Sequence, residues 1–412
     1  MSVFLQKGVN WVVRSIELFS GAGGLALGLH QAGFSPAALL EWDKDSCDSV
    51  KENIANGYSG IADWNVVQTD VRLVRYSDYG LDIQFVTGGP PCQPFSLGGK
   101  HKAHADTRDM FPEAVRAVRE LRPQGFIFEN VKGLLRKSFS SYFNYILLQL
   151  SHPEVTARDG MDWAEHLRLL EEYHTSSGDK GLEYNVVFRL LNAADYGVPQ
   201  QRHRVVIVGF RSDLNANWSF PEPTHSKEAL TYAKHGDGSY WEEHRIAKKN
   251  RPESSIQEKQ AVQIVEKTRL GERWQTVRDA IAGLPDPRNS SAGKLANHEF
   301  RDGARPYAGH SGSVLDEPSK TIKAGAHGVP GGENMLILDD GFLRYYTVRE
   351  SARIQTFPDS YLFHGSWTES MRQIGNAVPV RLANIIGESV IKQMERMGID
   401  DAARRQTGRK AV

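Results

Sequence analysis

A short apolar strand that runs straight into glycines and then into a helix constrains this chain more than any other feature. From Arg14 the sequence reads RSIELFSGAGGLALGLHQAGF. Ile16, Leu18 and Phe19 suit a buried strand, Ser20 to Gly24 a glycine turn, and Leu25, Leu27, Leu29 and His30 a helix ending near Gly33. This is the first βα turn of a doubly wound sheet, and its helix N-terminus offers free N–H groups and a partial positive charge to a carboxylate or phosphate. The glycines at 21, 23 and 24 depart from the G-x-G-x-x-G spacing, which disfavours a dinucleotide pyrophosphate. The apolar run Ala37 to Leu40 then leads into Glu41, Trp42 and Asp43. An acid at the end of a second strand, about 20 residues after the first glycine, is placed to hold ribose hydroxyls, and Trp42 offers a stacking face. Taken singly, Glu41 could be a solvated strand end and Trp42 a core aromatic. Asp70, after Val66 and Val67, fits a third strand end where a carboxylate could accept a bond from an adenine amino group.

The second constraining stretch is Thr87 to Ser96, TGGPPCQPFS, just after the apolar run Ile83, Phe85 and Val86. Gly88 and Gly89 permit a sharp departure from a strand. Pro90, Pro91 and Pro94 each fix φ and remove a backbone donor, so the Cys92 thiol is mounted on a stiff loop. A lone cysteine can be a small buried hydrophobe, but this setting is poor for a core. Lys100, His101, Lys102, His104 and Arg108 follow without apolar period, as a solvated loop or as a lid that closes on substrate and phosphates.

Gly125 to Phe128 is another buried strand with Glu129 and Asn130 at its carboxyl end, where open α/β sheets bind ligands. Residues 151 to 183 read as an insertion, with Trp163, Leu167 and Leu170 on one helical face and no evident chemistry. At Tyr196 the chain reads YGVPQQRHRVVIVGFR. If Gln200 to Phe210 is extended, Gln200, Arg202 and Arg204 share one face and His203 and Val205 the other. Two arginines entering a buried strand need partners, so they are expected to face a site. Residues 211 to about 340 are rich in Gly, Pro, Ser, His and charge, and suit a second, smaller domain of loops on short strands. Order returns with a helix from about Val348 to Gln355. The last element, QIGNAVPVRLANIIGESVIKQMERM, is expected to have Asn376 as its N-cap and Pro379 in its first turn.

Taken in order, LFSGAGG, EWD, the acid at Asp70, GGPPCQPFS, ENV, QQRHR, RESARIQTFPD and QIGNAVP resemble the motif set of the C5-cytosine DNA methyltransferases. The resemblance covers Ser15 to about Met397, except the insertion and the variable region. It implies an α/β fold with a doubly wound, mostly parallel, Rossmann-like sheet that binds S-adenosylmethionine, and a smaller loop-rich target-recognition domain. The expected layout is a catalytic domain over 1–210 completed by a returning helix in 366–412, with the small domain over 211–365. Phe19, Gly21, Gly23, Glu41, Trp42, Asp70 and Asn376 would line the S-adenosylmethionine pocket. Cys92 would be the nucleophile, Glu129 the acid on the pyrimidine ring, and Arg202 and Arg204 supports of the active site. Gln93, Ser96, Lys100, Lys102 and Arg108 would form the DNA-facing lid. The implied chemistry favours a raised carboxyl pKa at Glu129.

Length and charge fit without selecting this reading. At 412 residues the chain can hold two cores, since single cores stop growing at roughly 250 to 300 residues. Lys plus Arg equals Asp plus Glu at 50 each, which neither announces nor excludes a nucleic-acid partner, because phosphate binding needs a basic face rather than a basic total. Two cysteines, Cys47 and Cys92, make neither a disulfide framework nor a four-cysteine zinc site, and Cys47 reads as structural. No apolar run or leader layout points to a membrane or secretion, so the expectation is a monomer in the cytoplasm, at the nucleoid, acting on double-stranded DNA. S-adenosylmethionine is the expected methyl donor, no metal is expected in the reaction, and a cognate restriction endonuclease is a possible separate partner. Three competing readings are an RNA cytosine methyltransferase, a nicotinamide-dependent dehydrogenase and a non-enzymatic DNA-binding protein. Against them stand, respectively, the long loop-rich stretch, the glycine spacing with a proline-mounted cysteine, and the intact Cys92, Glu129 and Arg204 set.

Overall fold

The computed structural model describes residues 12–80, 82–91, 109–177, 181–265, 271–289, 295–306, 311–325 and 334–408. Its first half alternates strands and helices: β1 (Val13–Leu18), α1 (Gly24–Ala32), β2 (Phe34–Glu41), α2 (Lys44–Ala55), β3 (Val66–Gln68), β4 (Phe85–Gly88), α3 (Phe111–Leu121), β5 (Gly125–Val131), α4 (Ser140–Ser151), α5 (Trp163–Thr175), β6 (Tyr184–Asn192) and β7 (His203–Arg211). The seven strands form one sheet in the order β3-β2-β1-β4-β5-β7-β6. Its first five strands are parallel, while β7 runs antiparallel to both β5 and β6. The central strands are apolar on both faces because helices cover both. Ile16, Leu18, Val86, Phe126 and Phe128 meet α3 and α4 on one side, and Val13, Phe85 and Ile127 meet α1 and the C-terminal helix on the other.

The chain continues through β8 (His225–Ser226), α6 (Lys227–His235), α7 (Ser239–Glu243), α8 (Ile256–Val265), β9 (Glu272–Arg273), α9 (Val277–Ile281), β10 (Ser313–Val314), β11 (Met335–Ile337) and β12 (Leu343–Tyr345). Among the described residues these strands make a two-stranded and a three-stranded sheet. Its core is joined to the large sheet: Ile322, Leu336, Tyr346 and Val348 pack in one cluster with Leu39, Ala26 and Trp64. The chain ends with α10 (Val348–Ile354), α11 (Trp367–Asn376) and α12 (Val380–Gly408).

The helix boundary at Asn376 differs from the expectation. Asn376 is the last residue of α11 and not the N-cap of the final helix. The cause is Pro379, which disfavours helical backbone at Val378 and so forces a break before α12. The Pro379 carbonyl then accepts the first helical bond from the Ala383 N–H at 3.0 Å. The insertion behaves as read: Leu170 is fully buried, with Trp163 and Leu167 packed beside it. No helix of the described residues is long and apolar enough to cross a membrane.

Candidate active site

The glycine turn is a strained loop held from several sides. Phe19, Gly21 and Gly23 all have positive φ, at 55°, 52° and 78°. For Phe19 this costs about 1–2 kcal/mol, tolerated only where the surroundings over-determine it. They do: the Ser20 N–H donates to the Leu40 carbonyl at 3.2 Å, and the buried Tyr361 hydroxyl to the Ala22 carbonyl at 2.8 Å. Glu41 is the third clamp. Its Oε2 accepts from the Gly21 N–H at 2.8 Å and its Oε1 from the N–H groups of Trp42 and Asp43 at 2.9 and 2.8 Å. Burial pushes its carboxyl up, and those three bonds oppose the shift. Glu41 is therefore not a solvated strand end, since only 8% of it is exposed. Trp42 beside it is 72% exposed, which rules out the core-aromatic reading.

Space for a ligand remains at the turn. A Cβ on Gly21 would meet nothing within 4 Å, and the Ser20 hydroxyl is buried without a partner among the described residues. Asp70 stands at the end of β3 as expected, but both its oxygens accept from Arg72, at 2.9 Å from Nε, and this guanidinium holds the carboxyl below its usual value. Asn376 is exposed at the end of α11, just before Ala377, whose Cβ would lie 3.1 Å from one added to Gly24. Cys47 is fully buried on α2, where burial pushes its thiol up to about 12, as suits packing.

Glu17 escaped the sequence reading because a charged residue inside β1 looks like a surface position. It is 2% exposed, accepting from the Ala26 N–H at 3.1 Å and the Thr87 hydroxyl at 3.3 Å. It thus caps the first turn of α1 from beneath. Burial pushes this carboxyl up to about 8, the two bonds only partly opposing it. The sign follows from linkage: a carboxyl that binds its proton more tightly when folded favours the fold most below its unfolded pKa, and this advantage is lost as pH rises towards 8. Glu17→Gln should remove that dependence. The melting temperature of the wild type relative to Glu17→Gln is expected to fall between pH 5 and pH 8.5; parallel melting curves across that range would contradict it.

On the other side of β1, the carboxyl ends of β4 and β5 meet. Arg204 pairs in register with Val131, two residues beyond Glu129, so both side chains share a face of the sheet. Their Nε and Oε1 atoms are 2.5 Å apart, and both side chains are nearly buried, 11% and 12% exposed. Burial lowers the Arg204 pKa, and Glu129 offsets this. A Cβ on Gly89 would sit 3.4 Å from Glu129 Oε2, so the glycine pair leaves room for this carboxylate.

Two prolines offer acceptors and no donors, so the Pro90–Pro91 loop must draw its donors from elsewhere. Asn130 Nδ2 donates to the Pro90 carbonyl at 2.9 Å, and the Met110 N–H to the Pro91 carbonyl at 3.1 Å. This role of Asn130 was legible in principle from the proline pair. Cys92, Gln93, Ser96, Lys100, Lys102 and Arg108 lie outside the described residues.

Arg202 does not accompany Arg204. Gln200 to Arg202 precede β7, and the fully buried Arg202 guanidinium donates to the carbonyls of Ile322, Gly375 and Ala377 at 2.9, 2.7 and 3.0 Å. Gln355 Nε2 adds a bond to the Ile374 carbonyl at 2.7 Å. Together they cap the C-terminus of α11, where a helix presents unpaired carbonyls and partial negative charge. QQRHR, RIQTF and QIGNA, far apart in sequence, thus close into one buried knot. Gly375 lets the knot form, since a Cβ there would lie 2.2 Å from the Ala324 nitrogen.

The family model described as C-5 cytosine-specific DNA methylase matches residues 13–153 and 167–392. Type II methyltransferase M.NgoMIV of Neisseria gonorrhoeae is 31% identical over 395 residues, covering 93% of this chain and 98% of its own. Type II methyltransferase M.PspPI of a Psychrobacter strain is 32% identical over 385 residues, covering 92% and 79%. Among solved structures, a putative DNA modification methyltransferase encoded within an Escherichia coli prophage superimposes with a TM-score of 0.56 at 21% identity, over 93% of this chain and 99% of that one. The S. pombe Dnmt2 methyltransferase gives 0.53 at 16% over 94% and 99%, a likeness of fold alone. With the family model spanning the sheet, both motif-bearing strand ends and the start of α12, this chain belongs to the C-5 cytosine-specific DNA methylases.

Proposed function

We propose that the enzyme methylates C5 of one cytosine within a specific duplex sequence, through a covalent bond between Cys92 and C6 of the base. The observation that carries the reading is the Glu129–Arg204 pair, set beside the donor-anchored prolines from which Cys92 follows. Cytosine C5 is a weak nucleophile. Addition of the Cys92 thiolate to C6 makes C5 enamine-like, and after methyl transfer the loss of the C5 proton and of the thiolate restores the ring. An unperturbed cysteine, with pKa about 8.5, is only slightly ionised at pH 7. Glu129 holds N3 as charge builds on the ring, and Arg204 orients Glu129 while offering a donor to the base O2. The base must leave the helix to reach this pocket, at a cost of a few kcal/mol.

The residues at the glycine turn fit S-adenosylmethionine: the buried Ser20 hydroxyl, the open space at Gly21 and the exposed Trp42 ring support this reading. Phe19, Gly21, Gly23, Glu41, Trp42, Asp70 and Asn376 would hold it. When bound, it supplies an electrophilic methyl group on sulfur. Gln93, Ser96, Lys100, Lys102 and Arg108 would contact DNA, the region 211–365 would read the target, and 1–210 with 366–412 would form the catalytic unit. The relatives named as Type II methyltransferases support a restriction-modification setting, with a cognate endonuclease acting separately.

Glu129→Gln should slow methyl transfer at least tenfold, an effect of about 1.4 kcal/mol on the barrier. A wild-type rate from a variant with an unchanged melting curve would remove Glu129 from the mechanism. The broader test supplies labelled S-adenosylmethionine with unmethylated duplex DNA and, in parallel, tRNA, and maps the product base by base. C5-methylcytosine confined to one short duplex sequence is the expected result; label in RNA alone would overturn the substrate.

A further inference from the structure

The insertion that the sequence left without chemistry brings two histidines and a glutamate together. His152 is the C-cap of α4, His174 lies in the last turn of α5, and Glu183 immediately precedes β6. His152 Nε2 is 2.7 Å from His174 Nδ1, and its Nδ1 is 3.8 Å from Glu183 Oε1. One ligand atom from each residue lies within 4.8 Å of the others. The geometry points to a binding site for a divalent transition-metal cation of the zinc class, held by His152, His174 and Glu183 and clamping the insertion to the edge of the sheet.

Two imidazoles and one carboxylate are the donor set that such a cation prefers, and an oxygen-seeking cation such as Mg²⁺ does not. His152 is 1% exposed and fixed, whereas His174 is exposed and can adjust. Zinc–nitrogen bonds of about 2.0–2.1 Å in a tetrahedral site put two nitrogens roughly 3.3 Å apart, so the rings need to part by about 0.6 Å and release the proton they share.

Two other clusters among the described residues each have at least one acid already engaged by a cation. In Glu243, His244 and Asp279 both carboxylates pair with Arg273, and in Asp45, Asp48 and His364 the Lys44 amine sits 2.5 Å from Asp48. Glu183 pairs with His152 and with no lysine or arginine among the described residues. The separations, 22 residues from His152 to His174 and 9 more to Glu183, mean that a bound ion would cross-link α4, α5 and the start of β6. The site is remote from Glu129 in sequence and does not depend on the proposed reaction.

The test uses the full-length chain freed of metal with a chelator, and the variant His174→Ala, whose exposed position makes misfolding avoidable and checkable by circular dichroism. Zn²⁺ is titrated into each by calorimetry at pH 7.5, with Mg²⁺ as control, and melting temperatures are taken with and without Zn²⁺. The expected result is Zn²⁺ binding at least tenfold tighter in the wild type, with a rise in its melting temperature that His174→Ala does not show. Cys92 is present in both proteins, so zinc held by its thiol cancels in the comparison. Equal Zn²⁺ affinity in both proteins, or none in the wild type, would overturn the site and leave a ring-to-ring hydrogen bond. His174→Gln repeats the comparison with a polar side chain and should behave as His174→Ala.

Discussion

Cys92→Ser is expected to lower methyl transfer by at least about 10³-fold while leaving the affinity for S-adenosylmethionine within about threefold of wild type. The separation of the two effects follows from the sheet. The glycine turn and Glu41 stand at the ends of β1 and β2, and Cys92 follows the end of β4. The bonds that anchor the preceding prolines, from Asn130 to Pro90 and from Met110 to Pro91, end on backbone carbonyls. A serine at position 92 is therefore expected to leave those anchors unchanged. Its expected failure is chemical: a hydroxyl ionises far less readily than a thiol and would be the weaker nucleophile towards C6. The measurement pairs a label-transfer assay on duplex DNA with calorimetry of cofactor binding. Turnover within tenfold of wild type would remove Cys92 as nucleophile, and lost cofactor affinity would mean that the two pockets are not separable.

What the sequence showed well was whatever depends on near neighbours. The strand, glycine turn and helix over 13–33 lie together in sequence, and so do the proline run and the β5 end. What it hid was built from distant pieces. Alternation with Arg204 would put Arg202 on the same strand face, and the family resemblance implies an active-site support there. The partners of Arg202 are carbonyls 120, 173 and 175 residues away, and no periodicity announces them. Glu17 looked unremarkable in a strand whose face could not be assigned without α1. The free-standing ribose acid expected at Glu41 is a clamp as well, because the turn it closes needs three N–H groups satisfied at once. The 211–340 stretch was legible as loops on short strands, but the strands themselves could not be placed, since strands of two or three residues carry no period.

The seam between α1 and α12 makes a second strong prediction: Gly28→Ala should destabilise the protein by about 3 kcal/mol, despite alanine being the better helix former by about 1 kcal/mol. A Cβ at Gly28 would sit 2.3 Å from the Val380 carbonyl oxygen, 2.5 Å from the Ala383 Cβ and 2.8 Å from the Asn384 nitrogen. Two of these three are backbone atoms of a helix and cannot swing aside. The helices touch so closely because small residues face each other: Gly24, Gly28 and Ala32 on α1, and Ala383 and Gly387 on α12. Around them Leu25, Leu29, Leu382, Ile386 and Val390 are buried, each contributing about 1.5–3 kcal/mol that a forced separation would erode. The overpacking term should win over the propensity term because relief requires α12 to move as a body. Since α1 begins at the glycine turn, such a shift should also weaken cofactor affinity. Denaturant unfolding and cofactor titration of the variant check both effects. A variant as stable as wild type would mean that α12 does not return to α1 at this distance, and that the last segment does not complete the catalytic unit as proposed.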